Sequence, residues 1–309
     1  MISFHGAFFK EGAISIALEL MDVGSLSDVL AVVRTIDEPE LAYFAKSMLG
    51  GLAYLRRKHK IHRDIKPSNI CINSAGDAKL SDFGITTSLD NTLSAANSFV
   101  GTSAYMSVER LMGSTYKYPS DVWAIGLVLL ECATGKFPYA LTGLYLDMMQ
   151  SVINGPSPSV PRAPDGSYGK FSREFAHFID CCLRKDPDAR STAEELLLHP
   201  WFAKMEGTRT PAQMAAWVAA VKPRVQERAR IERAKANGEP LAALSTASGA
   251  AGTTAAAAGA GGSADPFEVG YNQTTTGGGS AGAQQAPRFN VPADSTSSFY
   301  IAKEINDGK

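Results

Sequence analysis

The sequence predicts an α+β fold in which a short run of strands leads into a longer series of helices, followed by a tail of different composition. Ile14, Ile16 and Leu18 alternate with Ser15, Ala17 and Glu19, the period of a half-buried strand. From residue 25 to residue 236, apolar residues recur at helical spacing in successive segments. Near residue 240 the mixture of apolar and charged residues ends, and residues 244 to 285 are mostly Ala, Gly, Ser and Thr.

The first strand is broken by Asp22-Val23-Gly24, and Ser25 is placed to cap a helix through Leu26, Val29 and Leu30. Residues 38 to 59 carry Leu41, Phe44, Met48, Leu52 and Leu55 on one helical face. Helices are also predicted over 120 to 135 and 171 to 183. Thr192 opens Thr-Ala-Glu-Glu, a capping-box pattern, with its helix running to Leu198. Residues 211 to 236 form a last helix, rich in Arg and Lys on one side. The reading taken is a solvated helix, with a docking surface for an acidic partner as the lesser option. The Ala/Gly-rich tail has too few large apolar groups to offset its ordering entropy and is expected to be disordered. Gly277, Gly279 and Gly282 satisfy G-x-G-x-x-G there, but no strand precedes them and no helix follows, so the match carries no function.

Composition excludes several classes. A net charge of −1 gives no reason to expect nucleic acid or an anionic membrane as partner. The four cysteines show no C-x-x-C spacing, which points away from zinc and disulfide frameworks and toward a reducing compartment. No secretory signal is apparent, and the most apolar run, Val122 to Leu130, is too short to span a bilayer. A cytoplasmic protein is expected. Asn272-Gln273-Thr274 matches a glycosylation sequon that such a protein would not use.

Two motifs carry the chemistry. Residues 61 to 69 read Ile-His-Arg-Asp-Ile-Lys-Pro-Ser-Asn, and Asp82-Phe83-Gly84 follows. Together they fit the signature H-R-D-x-x-x-x-N followed by D-F-G of protein kinases. Phosphoryl transfer needs a carboxylate to receive the hydroxyl proton, for which Asp64 is the candidate. It needs oxygen ligands for Mg²⁺, which Asn69 and Asp82 can supply. Lys66 can reach the transferred phosphate as a point charge.

Several further runs resemble the mitogen-activated protein kinase kinases. These are Phe4 to Phe9, Ile14 to Asp22, Gly24-Ser25-Leu26, Ile65 to Asn69, Asn97 to Thr102 and Tyr105 to Leu111, the last similar to that family's Y-M-S-P-E-R. The resemblance covers about residues 1 to 203 and implies a two-lobed kinase fold with ATP and Mg²⁺ between the lobes. It implies a hinge at Glu19 and Met21 and a gating residue at Leu18. Cys71 falls under the adenine as a buried, unreactive floor, and Ser68 and Asp82 complete the nucleotide site. Glu109 and Arg190 match a buried ion pair anchoring the activation segment, and Asp121 matches a brace of the catalytic loop. Thr92, Ser94 and Ser98 fall where the family carries regulatory phosphosites, and Arg63 is a natural partner for the added charge. The implied partners are a downstream MAP kinase as substrate and an upstream MAP kinase kinase kinase. The implied organisation is a remnant of the small lobe and hinge over 1–23, the large lobe over 24–203, a helical extension over 204–240 and the tail over 241–309.

The sequence departs from the pattern in three places. No Gly-rich loop, strand Lys or helix Glu precedes Glu19, and the only earlier Lys, Lys10, reads as a turn residue. The small lobe is thus expected to be truncated, with an exposed sheet edge and apolar surface, and the chain as it stands weakly active or inactive. A non-catalytic binding module is the alternative. The run between Lys60 and His62 is one residue short of the family's, so a distorted entry to the catalytic loop is expected. Val108 replaces a Pro beside Glu109.

Overall fold

The computed structural model describes residues 1–10, 13–81, 104–139, 145–238 and the backbone of 305–306. Strands β1 (Phe4–Lys10) and β2 (Ala13–Leu18) form an antiparallel hairpin whose register shifts between Phe4 and Gly6. Lys10, read from sequence as a turn residue, is the last residue of β1 and pairs with Ala13. Phe4, Phe8 and Phe9 stand exposed on β1, the apolar surface expected there. On its other edge β2 pairs with a two-residue strand at Ile305–Asn306. That strand lies in the tail expected to lack structure. An unpaired sheet edge is a template for a strand, and β-branched Ile305 suits one.

A second small sheet follows, with β3 (Gly24–Ser25), β4 (Ile70–Ile72) and β5 (Ala78–Leu80) in that order and antiparallel. Ile70, Ile72, Ala78 and Leu80 point into the core, while Cys71 and Lys79 point out of it. Cys71 is therefore half-buried, and not the buried residue expected.

The helices build the rest. Ser25 and Asp28 close a capping box at the start of α1 (Leu26–Val33). Helix α2 (Glu38–Arg57) buries Leu41, Phe44, Met48, Leu52 and Leu55, the face its periodicity predicts. A one-turn helix, α3 (Val108–Leu111), leads to α4 (Tyr118–Thr134), which is apolar all round and buried on every side from Val122 to Leu130. Helices α5 (Tyr145–Asn154) and α6 (Arg173–Cys182) follow, then α7 (Ala193–Leu197), with the Thr192–Glu195 capping box, and α8 (Pro200–Met205). Gly126 lets α4 and α6 approach, since a Cβ there would lie 2.7 Å from Cys182 Cβ. Glu38 ties three elements together: its carboxylate accepts Ser172 N–H at 2.5 Å, Ser172 O–H at 2.7 Å and Trp201 Nε1–H at 3.1 Å.

The last helix, α9 (Pro211–Ala236), has the predicted bounds but not the predicted environment. Met214, Val218, Val221 and Val225 are buried, and α9 packs against α1. Gly76, at φ 87°, makes room for it: a Cβ there would meet Met214 Cβ at 2.8 Å. Lys222 bonds both Asp22 and Ser74, and Ser74 N–H donates to Asp22 at 2.8 Å. One side of this helix is thus a core face rather than a solvated one. No described helix is long and apolar enough to cross a membrane.

Candidate active site

His62 to Asn69 lie between α2 and β4. No strand enters this stretch; residues 60 to 66 are irregular, as the shortened run before His62 implies. Arg63 sits at φ 73°, in the left-handed region that a non-glycine residue enters at a cost of about 1–3 kcal/mol. What holds it is Asp121, in the first turn of α4. Its Oδ2 accepts His62 N–H at 2.8 Å and its Oδ1 accepts Arg63 N–H at 3.0 Å. Tyr116 O–H donates to Arg63 C=O at 3.1 Å from the other side. Burial pushes the Asp121 carboxyl up to about 7, against the two N–H bonds and the Arg63 charge, which pull it down.

The kinked loop brings three predicted site residues onto one oxygen. Asp64 Oδ2 lies 3.0 Å from Lys66 Nζ and accepts Asn69 Nδ2–H at 2.7 Å. Asn69 Nδ2 also donates to Asp64 C=O at 2.8 Å. With Nδ2 committed to Asp64, the Asn69 amide oxygen is the atom left to meet a cation, a hard oxygen ligand of the type Mg²⁺ takes. With Oδ2 held by two donors, Oδ1 is the face of Asp64 left to a hydroxyl. Asp64 and Lys66 are each about a quarter exposed, and Asn69 is buried on a one-turn 3₁₀ helix over Pro67–Asn69. Ser68 is exposed on the same turn.

The hinge candidates lie where β2 hands the chain to the second sheet. Leu18 is half-buried at the end of β2 and Met21 is buried. Glu19 is fixed by three contacts: its N–H donates to Ser3 C=O at 2.9 Å, its carboxylate accepts Ser3 N–H at 3.1 Å, and it pairs with Lys79 Nζ at 2.5 Å. The desolvation of Glu19 is outweighed by the Lys79 and Ser3 bonds, so its carboxyl sits below the usual range. Neither the Glu19 C=O nor the Met21 N–H is taken up by another described backbone group. Cys71 pairs with Lys79 across the sheet, on the side facing away from the core.

Glu109 and Arg190 form the buried pair predicted for them. Arg190 Nη1 lies 2.8 Å from Glu109 Oε1 with the guanidinium fully buried, and it also donates to the carbonyls of Pro119, Arg184 and Lys185. Ser120 O–H adds a bond to Glu109 at 2.9 Å. Asp82, Thr92, Ser94 and Ser98 lie outside the described residues, as does Gly277 to Gly282. The sequence reading missed the Lys79–Glu19 pair and the Tyr116 bond. Their partners are far apart in the chain, and neither residue belongs to a motif.

A protein kinase domain matches residues 1–202. The chain belongs to the protein kinase family. The mostly helical body with its small sheets is the kinase fold, and the family match covers the loop at 62–69. Within that family the chain is similar to the mitogen-activated protein kinase kinases. It is 47% identical over 212 residues to mitogen-activated protein kinase kinase 3 of Arabidopsis thaliana, covering 68% of this chain and 40% of that one. It is 49% identical over 210 residues to mitogen-activated protein kinase kinase SIPKK of Nicotiana tabacum, covering 65% and 57%. It is 41% identical over 232 residues to dual specificity mitogen-activated protein kinase kinase dSOR1 of Drosophila melanogaster, covering 67% and 57%. The kinase thus spans between 40% and 57% of the length of these relatives.

Proposed function

We propose that this kinase acts as a mitogen-activated protein kinase kinase, moving the γ-phosphate of ATP to Thr and Tyr hydroxyls of a Thr-x-Tyr activation loop on a downstream MAP kinase. The observation that carries the reading is the convergence of Lys66 and Asn69 on one oxygen of Asp64, in a loop whose backbone Asp121 holds. In this reading Asp64 Oδ1 receives the substrate hydroxyl's proton, and Lys66 sits beside the transferred charge. Asn69 and Asp82 would hold Mg²⁺, which when bound would supply positive charge to the phosphate. The backbone of Glu19 and Met21 meets adenine, with Leu18, Ser68 and Cys71 lining the nucleotide site. Thr92, Ser94 and Ser98 are the sites where an upstream MAP kinase kinase kinase would switch it on. The setting is cytoplasmic, with protein partners rather than nucleic acid or membrane.

The test is transfer to a MAP kinase with its Thr-x-Tyr loop, under single-turnover conditions. Asp64→Asn should lower the rate by about 10²–10⁴. Equal rates for wild type and Asp64→Asn would sink the assignment.

A further inference from the structure

Where α6 meets the start of α8, three metal-ligating side chains come together. His177 and Cys181 are four residues apart on α6 and share its face. His199, the N-cap of α8, comes to the same place. One ligand atom from each lies within 4.8 Å of the others. His177 Nδ1 lies 2.7 Å from His199 Nε2, and Cys181 Sγ lies 3.9 Å from His177 Nδ1. Cys181 and His199 are buried and His177 is exposed, so the group has one open side toward solvent. Phe178 and Trp201 pack beside it, with His199 edge-on to Phe178.

We propose that His177, Cys181 and His199 form a binding site for a borderline-soft divalent cation, Zn²⁺ foremost, with water as the fourth ligand. Two imidazoles and a thiolate are the donor set such an ion takes. Tetrahedral Zn²⁺ sets its two nitrogen ligands about 3.3 Å apart and nitrogen and sulfur about 3.6 Å apart. Loading therefore asks the stacked histidine rings to part by about 0.6 Å and turn toward a common point, and the sulfur to close on His177 by a few tenths and on His199 from a separation within 4.8 Å. His177, on the exposed side, is the residue with room to move.

One feature opposes loading. Trp201 N–H donates to His199 Nδ1 at 3.1 Å, which places the proton of neutral His199 on Nε2, aimed at His177 Nδ1. The cation takes His199 Nε2 as its ligand, so that proton moves to Nδ1 by way of solvent, and the Cys181 thiol releases its own proton to solvent. His199 then carries its one proton on Nδ1 and gives up the helix cap. One cap hydrogen bond is set against three metal–ligand bonds, so the cap does not decide the outcome.

The test is Co²⁺ titration of the purified chain, followed by its visible and thiolate-to-cobalt charge-transfer absorption, with Zn²⁺ as competitor. One equivalent should bind with a charge-transfer band and be displaced by Zn²⁺. His177→Ala is the principal variant because that side chain is exposed and caps nothing. It and Cys181→Ser should each weaken binding by at least about 10-fold, and Cys181→Ser should abolish the charge-transfer band. Cys71→Ser, outside the cluster, should leave both unchanged. The absence of a charge-transfer band in the wild type, or binding that survives in both His177→Ala and Cys181→Ser, would overturn the proposal.

Discussion

Asp121 Oδ1 accepts the Arg63 N–H at 3.0 Å, and Arg63 is held there in the left-handed region at φ 73°. The strained residue directly precedes Asp64, so the position of the candidate base depends on a carboxylate 57 residues further on. Asp121→Ala leaves two N–H groups without their acceptor and should cost about 1–3 kcal/mol for each. Urea unfolding measures it. A change below about 0.5 kcal/mol would mean that the loop holds itself.

The same carboxyl gives a pH dependence. Burial raises Asp121 to about 7, above its ordinary 3.8, so the folded chain takes up a proton between about pH 4 and pH 7. The stability this contributes is fully present below about pH 4 and is lost as pH rises through about 7. Asp121→Asn cannot ionise. The stability gap between wild type and Asp121→Asn should therefore shift against the wild type by up to about 4 kcal/mol across that window. Parallel curves from about pH 5 to 8 would contradict the assignment.

The Glu109–Arg190 pair has the opposite sign. Desolvation pushes Glu109 up, but the bonds from Arg190 and its neighbours prevail and hold the carboxyl below its usual 4.5. Its contribution is present above about pH 4.5 and is lost as pH falls through the depressed value. Glu109→Ala leaves the fully buried Arg190 guanidinium without its carboxylate and should cost about 3–5 kcal/mol at neutral pH. Chemical denaturation of the variant, with wild type alongside, gives the figure. A loss under about 1 kcal/mol would show that the three carbonyls around Arg190 suffice without Glu109.

Gly76 and Met214 test the docking of α9. Gly76→Ala adds a Cβ 2.8 Å from Met214 Cβ at a residue with φ 87°, so it meets both a clash and backbone strain. It should destabilise the chain by about 1–3 kcal/mol. In a chain ending at residue 206 the clash is gone and only the strain remains, so the cost should fall. An equal cost in both backgrounds would place the whole effect in the turn.

Much of the helical body was legible because its signals are local. Thr192 with Glu195 and Ser25 with Asp28 announce their helices, and the apolar residues of α2 and α4 are the ones buried. The environment of α9 was not legible. Its charged side is as pronounced in sequence as its apolar side, and nothing local says that α1 and the turn at Gly76 cover Met214, Val218 and Val221. Asp64, Lys66 and Asn69 could be named from spacing alone. Their sharing of one oxygen could not, because it depends on the turn at Arg63, a residue type that gives no hint of φ 73°. The Glu19–Lys79 pair joins residues that share no motif.

Thermal unfolding with and without Mg-ATP tests most directly whether the loop at Asp64 belongs to a working nucleotide site. At a ligand concentration about 100-fold above Kd, binding contributes about 2.7 kcal/mol, a rise of about 5–10 °C for a domain of this size. Such a rise is expected, dependent on Mg²⁺ and lost in Asn69→Ala. No rise at saturating Mg-ATP, or an equal rise in Asn69→Ala, would contradict it and leave the non-catalytic reading in its place.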